Sequence, residues 1–118
     1  MAKKVLELKK PIMINGEEVS AIAYDFDAMT LQDMVNAEKY MTEQGCVTIT
    51  TEELNMTWHS YFFAYSAAKA NKGTDVSDYL RLTGRDALKA RELAKNFLLG
   101  LDAEDSPAGE ASNSEKQL

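Results

Sequence analysis

Three sets of side chains in this 118-residue chain have the chemistry to react: the single histidine, His59; the single cysteine, Cys46; and the aspartates Asp25 and Asp27. A thiol–imidazole dyad needs its two groups brought together, and a metal site needs convergent ligands. Nothing in the spacing of Cys46 and His59 does either. His59 sits mid-helix between Trp58 and Ser60, where it reads as a helix-surface or packing residue. Asp25 and Asp27 are two apart, so in an extended segment they would share a face, as paired carboxylates can. The same residues also suit a solvated loop that leads into a helix and helps to cap it. The glycine-containing stretches Asn71-Lys72-Gly73-Thr74 and Thr83-Gly84-Arg85 lack the glycine spacing of either nucleotide fingerprint. No catalytic constellation, metal site or cofactor site emerges, so an enzyme is not expected.

Length allows one domain, large enough to fold without disulfides or metals. Hydrophobic residues make up 45% and charged residues 27%, which excludes wholesale disorder. The longest apolar run, Tyr61 to Tyr65, is too short to span a bilayer. Met1-Ala2-Lys3-Lys4 is basic but is followed by no apolar region of a secretory signal. One cysteine cannot form an internal disulfide, which fits a reducing cytosol. A net charge of -6 argues against a phosphate-backbone partner, and neither nucleic acid nor membrane is expected. Residues 102–118 hold five acidic side chains against one lysine, a net of -4, leaving -2 for residues 1–101. The expected organisation is therefore a folded domain over 1–101 and a disordered acidic tail over 102–118.

Leu6, Leu8, Ile12 and Ile14 share one parity and predict a strand with a single apolar face. Asn15-Gly16 predicts a two-residue hairpin turn, and Pro11 places its strand at an edge or an irregularity. The returning strand, Glu17 to Phe26, puts Val19 on one parity and Ile22, Tyr24 and Phe26 on the other. An extra residue near Ser20-Ala21 would reconcile them. Thr30 to Asp33 predicts a helix start, with Leu31, Met34, Val35 and Met41 along its inner stripe and a stop at Gly45. Cys46 to Thr50 is β-prone and reads as a third strand or a connector.

The main helix is expected from Thr51 to about Asn71, with Gly73 as its stop. Leu54, Trp58, Tyr61, Phe62, Tyr65 and Ala68 fall at offsets of 4, 7, 8, 11 and 14 from the first, one continuous face. Met56, Phe63, Ala67 and Ala70 make the opposite side apolar too, so the helix is either central in its fold or part of an interface. A chain this small should not cover it on every side, which points to a homo-oligomer or a partner. Asp75 to Leu82 reads as a short helix or turn. Thr83 to Asp86 starts a last helix that presents Leu88, Leu93, Ala94, Phe97 and Leu98, with Arg85, Lys89, Arg91 and Lys95 as a solvated face. The fold class is α+β: an N-terminal β-hairpin packed on three to four helices.

Taken in order, Leu6-Glu7-Leu8-Lys9-Lys10-Pro11-Ile12-Met13-Ile14-Asn15-Gly16, the Thr30-x-x-Asp33 start, and Leu82-Thr83-Gly84-Arg85-Asp86 with Phe97-Leu98 resemble the small tail assembly chaperones of long-tailed bacteriophages and prophages. The resemblance spans about residues 5–99. It implies a non-enzymatic protein of the host cytoplasm, absent from the mature virion, that coats the apolar tape-measure protein. It further implies recruitment of tail-tube protein, through a frameshifted longer form in many relatives. The partner-binding residues expected on this reading are Met56, Trp58, Phe62, Phe63, Tyr65, Ala67 and Ala70. Within that set Met56, Phe63, Ala67 and Ala70 are the outward surface and the others the internal face, an assignment that can also be inverted. Two other functions compete: a structural subunit of a phage tail or contractile particle, and a small acidic inhibitor that mimics DNA.

Overall fold

The structure is a computed structural model that describes residues 4–45 and 56–101. Strand β1 (Lys4–Ile14) and strand β2 (Glu17–Tyr24) pair antiparallel in a two-stranded sheet. A 3-10 turn (Phe26–Ala28) leads to helix α1 (Leu31–Glu43). Helix α2 (Met56–Ala70), the one-turn α3 (Val76–Tyr79) and α4 (Gly84–Leu98) complete the order. The fold is α+β, with the hairpin packed on the helices. The segment Cys46 to Thr50, the expected start of the main helix at Thr51, Leu54, and the acidic tail lie outside the described residues.

The hairpin turns where Asn-Gly predicted, because both turn residues adopt positive φ, 54° at Asn15 and 82° at Gly16. The Asn15 side chain then donates to the Gly73 carbonyl at 3.0 Å, tying the turn to the loop after α2. Leu6 and Ile14 are buried, and Leu8 and Ile12 pack partly against the core, so β1 keeps its single apolar face.

The register corrects one expectation. Glu7 pairs with Ala21 and Ile12 with Val19, so Leu8, Lys9, Lys10 and Pro11 lie opposite Ser20 alone. The irregularity falls beside Ser20, but the surplus residues belong to β1 and not to β2. The cause is chemical. Pro11 has no amide to offer, and the Lys9 and Lys10 amides both bond to the Asp86 carboxylate. Val19 packs partly against the core in which Ile22 and Tyr24 are buried.

Helix α2 is the centre of the molecule and touches α1, α3, α4, β2 and the 3-10 turn. Phe26 and Phe97, their rings 5.2 Å apart, both pack on its Phe62, with ring centroids 5.4 Å and 6.0 Å away. Polar side chains of α2 fasten the end of β2. Asn71 Nδ2, just past the helix, donates to the Ala23 carbonyl at 2.9 Å, and Ser66 Oγ accepts the Asp25 amide at 3.2 Å.

Helix α1 is turned from its expected orientation. Leu31 is 81% exposed and Val35 is also exposed, whereas Ala37 and Met41 are buried and Met34 and Tyr40 pack beside them. The stripe that meets α2 is thus i, i+3, i+7 from Met34. It leaves Leu31 and Val35 on the far side. The expected start and stop both hold: Thr30 and Asp33 exchange side-chain-to-amide bonds in a capping box, and Gly45 adopts φ 89°.

Candidate functional site

The seven residues expected to bind a partner do not form a surface. Trp58, Phe62, Phe63 and Ala67 are all buried, the last three with no more than 1% exposure. Tyr65 and Ala70 are half-buried, and Met56 alone is exposed. Both apolar faces of α2 are satisfied inside this chain. Phe63 meets the Tyr24 ring of β2 at 5.3 Å, and Phe62 meets the Phe97 ring of α4 at 6.0 Å. The assumption that a chain of this size leaves one face of α2 bare is therefore incorrect, and with it goes the argument for an oligomer from that face. The reason is the hairpin, which adds a second layer of apolar cover.

The residues with reactive side chains separate as well. His59 is buried in the core among the side chains of α2, and Cys46 lies outside the described residues. Asp25 is half-buried at the start of the 3-10 turn, and Asp27 is exposed within it. Among the described residues there is no group of three or more His, Cys, Asp or Glu that could hold a metal ion. Among them, too, no helix is long and apolar enough to cross a membrane.

What the surface does offer is a groove of about 500 Å³ between β1 and α4. Val5 and Leu6 from the strand and Leu88 and Leu93 from the helix form its apolar lining. Val5 is 55% exposed and Leu88, one of the apolar residues the last helix presents, is 56% exposed. Lys9, Arg85 and Lys89 stand at its rim with Glu7 and Glu92, so apolar side chains are framed by charge of both signs. Lys89 pairs loosely with Glu92 along the helix at 3.9 Å.

Asp86, also in the lining, joins the two walls of this groove. The Thr83-x-x-Asp86 spacing predicts a capping box, but Thr83 makes no side-chain cap bond. The Asp86 carboxylate, 4% exposed, instead receives the Lys9 amide at 2.9 and 3.0 Å and the Lys10 amide at 2.9 Å. These charge-assisted bonds hold α4 against the bulged part of β1. Val5 and Leu88 line the groove on either side of this tie, one from the strand and one from the helix.

A second depression of about 310 Å³ lies between α1, α2 and α3, lined among others by Asp33, Tyr65 and Lys69. Its polar groups serve the fold. Lys69 Nζ forms an ion pair with Asp33 and donates to the Ala28 carbonyl at 2.8 Å, pinning the start of α1 to α2. Comparison of the chain with protein-family models, with curated proteins and with solved structures found no match.

Proposed function

We propose that the chain is a non-enzymatic tail assembly chaperone of a long-tailed phage or prophage, and that it receives its client in the β1/α4 groove. The observation that carries this reading is the pairing of Val5 and Leu88. Two large aliphatic side chains, each more than half exposed, line one groove in a protein whose aromatic residues are otherwise packed inside. An apolar trough rimmed by charge suits an amphipathic helix laid lengthwise, its apolar stripe down and its polar flanks meeting Lys9, Arg85 and Lys89. Completing the burial of Val5 and Leu88 would contribute about 1 kcal/mol each. The order of motifs over residues 5–99 supplies the identity of that helix, the tape-measure protein. Cytoplasmic action, absence from the virion and recruitment of tail-tube protein belong to the same proposal.

Co-expression with the tape-measure protein tests it. The wild-type chain is expected to keep that protein soluble and to co-purify with it. Leu88→Asp and Val5→Asp should lose co-purification while retaining the wild-type circular dichroism spectrum. Undiminished capture by both folded variants would refute the groove. Stoichiometric recovery of the chain from purified particles would refute the chaperone and favour a structural subunit.

A further inference from the structure

The charges that line the β1/α4 groove balance, Lys9, Arg85 and Lys89 against Glu7, Asp86 and Glu92. They are not mixed along its length. The Lys9 amide meets the Asp86 carboxylate at 2.9 Å, in the first turn of α4. At the start of β1, Lys4 pairs across the sheet with Tyr24. The Tyr24 ring lies 4.9 Å from Phe26, and Phe26 lies 5.2 Å from Phe97 in the last turn of α4. The two walls therefore run antiparallel. Along α4, Arg85 and Lys89 precede Glu92 by about 10 and about 5 Å. Along β1, Glu7 stands about 7 Å from Lys9 in that same direction. Asp86 is buried under the two amides it accepts. The tied end thus presents three exposed cations, Lys9, Arg85 and Lys89, and the far end two exposed carboxylates, Glu7 and Glu92.

We infer that the groove selects an amphipathic helix whose own charges are segregated along it. Carboxylates of that helix lie over Lys9 and Arg85, and cations about seven residues away lie over Glu7 and Glu92. Its apolar stripe rests on Val5 and Leu88. A uniformly acidic helix would meet like charge at the far end, and a uniformly basic one at the tied end. A second copy of the chain fits less well, because two such faces would meet trough to trough, whereas a helix is convex where the groove is concave. Inside a long client helix the dipole effects of its termini have faded, so the order of its charges sets its direction. An acidic-first segment lies parallel to α4, and a basic-first segment antiparallel. This selection rests on the proposed reading of the groove as a helix site, and not on the tape-measure protein being the client.

Fluorescent helical peptides of about 21 residues, built on one leucine stripe, test the selection against the full chain. One carries glutamates and then lysines on its polar flanks, one the reverse order, one glutamates only and one lysines only. Either segregated peptide should bind about 5-fold tighter than either uniform one, as two exposed ion pairs would give. The advantage should vanish in about 1 M salt, where the Debye length falls to about 3 Å. The Glu7→Lys, Glu92→Lys chain, altered only at exposed positions, should instead prefer the glutamate peptide. A spin label at the peptide N-terminus should broaden the Arg85 amide more than that of Leu93 for the acidic-first order, and the opposite for the basic-first order. Equal affinity for all four peptides would overturn the charge selection and leave the apolar groove standing. Binding by none of them would overturn both. A chain that sediments as a dimer, and as a monomer after Leu88→Asp, would assign the groove to a second copy and overturn the inference. If the tape-measure protein fails to bind while the segregated peptides are preferred, the proposed client falls and the selection stands.

Discussion

Asp86 accepts amides that lie 76 and 77 residues before it in the chain, and those amides have no strand partner to return to. Removing the carboxylate would leave two backbone donors of a partly buried bulge unsatisfied. Asp86→Ala should therefore cost about 2–4 kcal/mol, read as a lower urea midpoint at unchanged slope. Asp86→Asn, which keeps one acceptor oxygen but turns an amide group toward the donors, should fall between Ala and wild type. No local signal distinguishes Asp86 from Asp33. Both stand three residues after a threonine at a helix start, yet Asp33 closes its own cap and Asp86 reaches across the fold. The difference lies in Pro11, whose missing amide frees the strand to bulge toward α4, and that pairing is invisible until both elements are placed.

Elements were legible where a backbone conformation or a cap dictates them. Asn15-Gly16, Thr30-x-x-Asp33 and the glycines that end the helices each name a required φ or an orphan amide, and each is found where expected. Rotation about a helix axis is less constrained. In α1 the residues Leu31 and Val35 are as apolar as Met34 and Met41, and the tie is broken by the small Ala37, which permits close approach to α2.

The caps also give α1 and α3 a shared response to acid. Burial pushes the Asp33 carboxyl up, but the bonds from Lys69 and Thr30 and the Lys69 charge outweigh it and hold it below its usual 3.8. The Ser77 hydroxyl and amide hold Asp75 down likewise, against a smaller upward push from burial. A carboxyl depressed in the folded state stabilises it above the unfolded value and loses that contribution as pH falls through the folded one. Stability should hence decline below about pH 4. Asp33→Asn should cost about 1 kcal/mol at neutral pH, and urea titrations taken at falling pH should show the gap to wild type closing.

At the scale of the whole molecule, the sequence pattern identified α2 as apolar on two sides but not what covers it. Phe26 and Phe97, which supply that cover, come from a turn before α1 and from the end of α4, so their convergence is a tertiary fact. For the same reason the groove proposed for a client lies between β1 and α4 and not on α2; its Leu88 falls in the apolar pattern of its helix, whereas Val5 stands off the apolar parity of its strand. A direct check of the core assignment contrasts two residues of one helix. Phe62→Ala should cost about 3–5 kcal/mol, whereas the exposed Met56→Ala should remain within about 0.5 kcal/mol of wild type.

The chain contains one indole, Trp58, buried at 3% exposure against the Phe62 ring and absent from the residues that line the groove. Nature has thereby fitted the protein with an optical gauge of its own. Its emission reports loss of the interior and not what lies in the trough, so a change in it on adding a candidate partner signals unfolding and not occupancy of the groove.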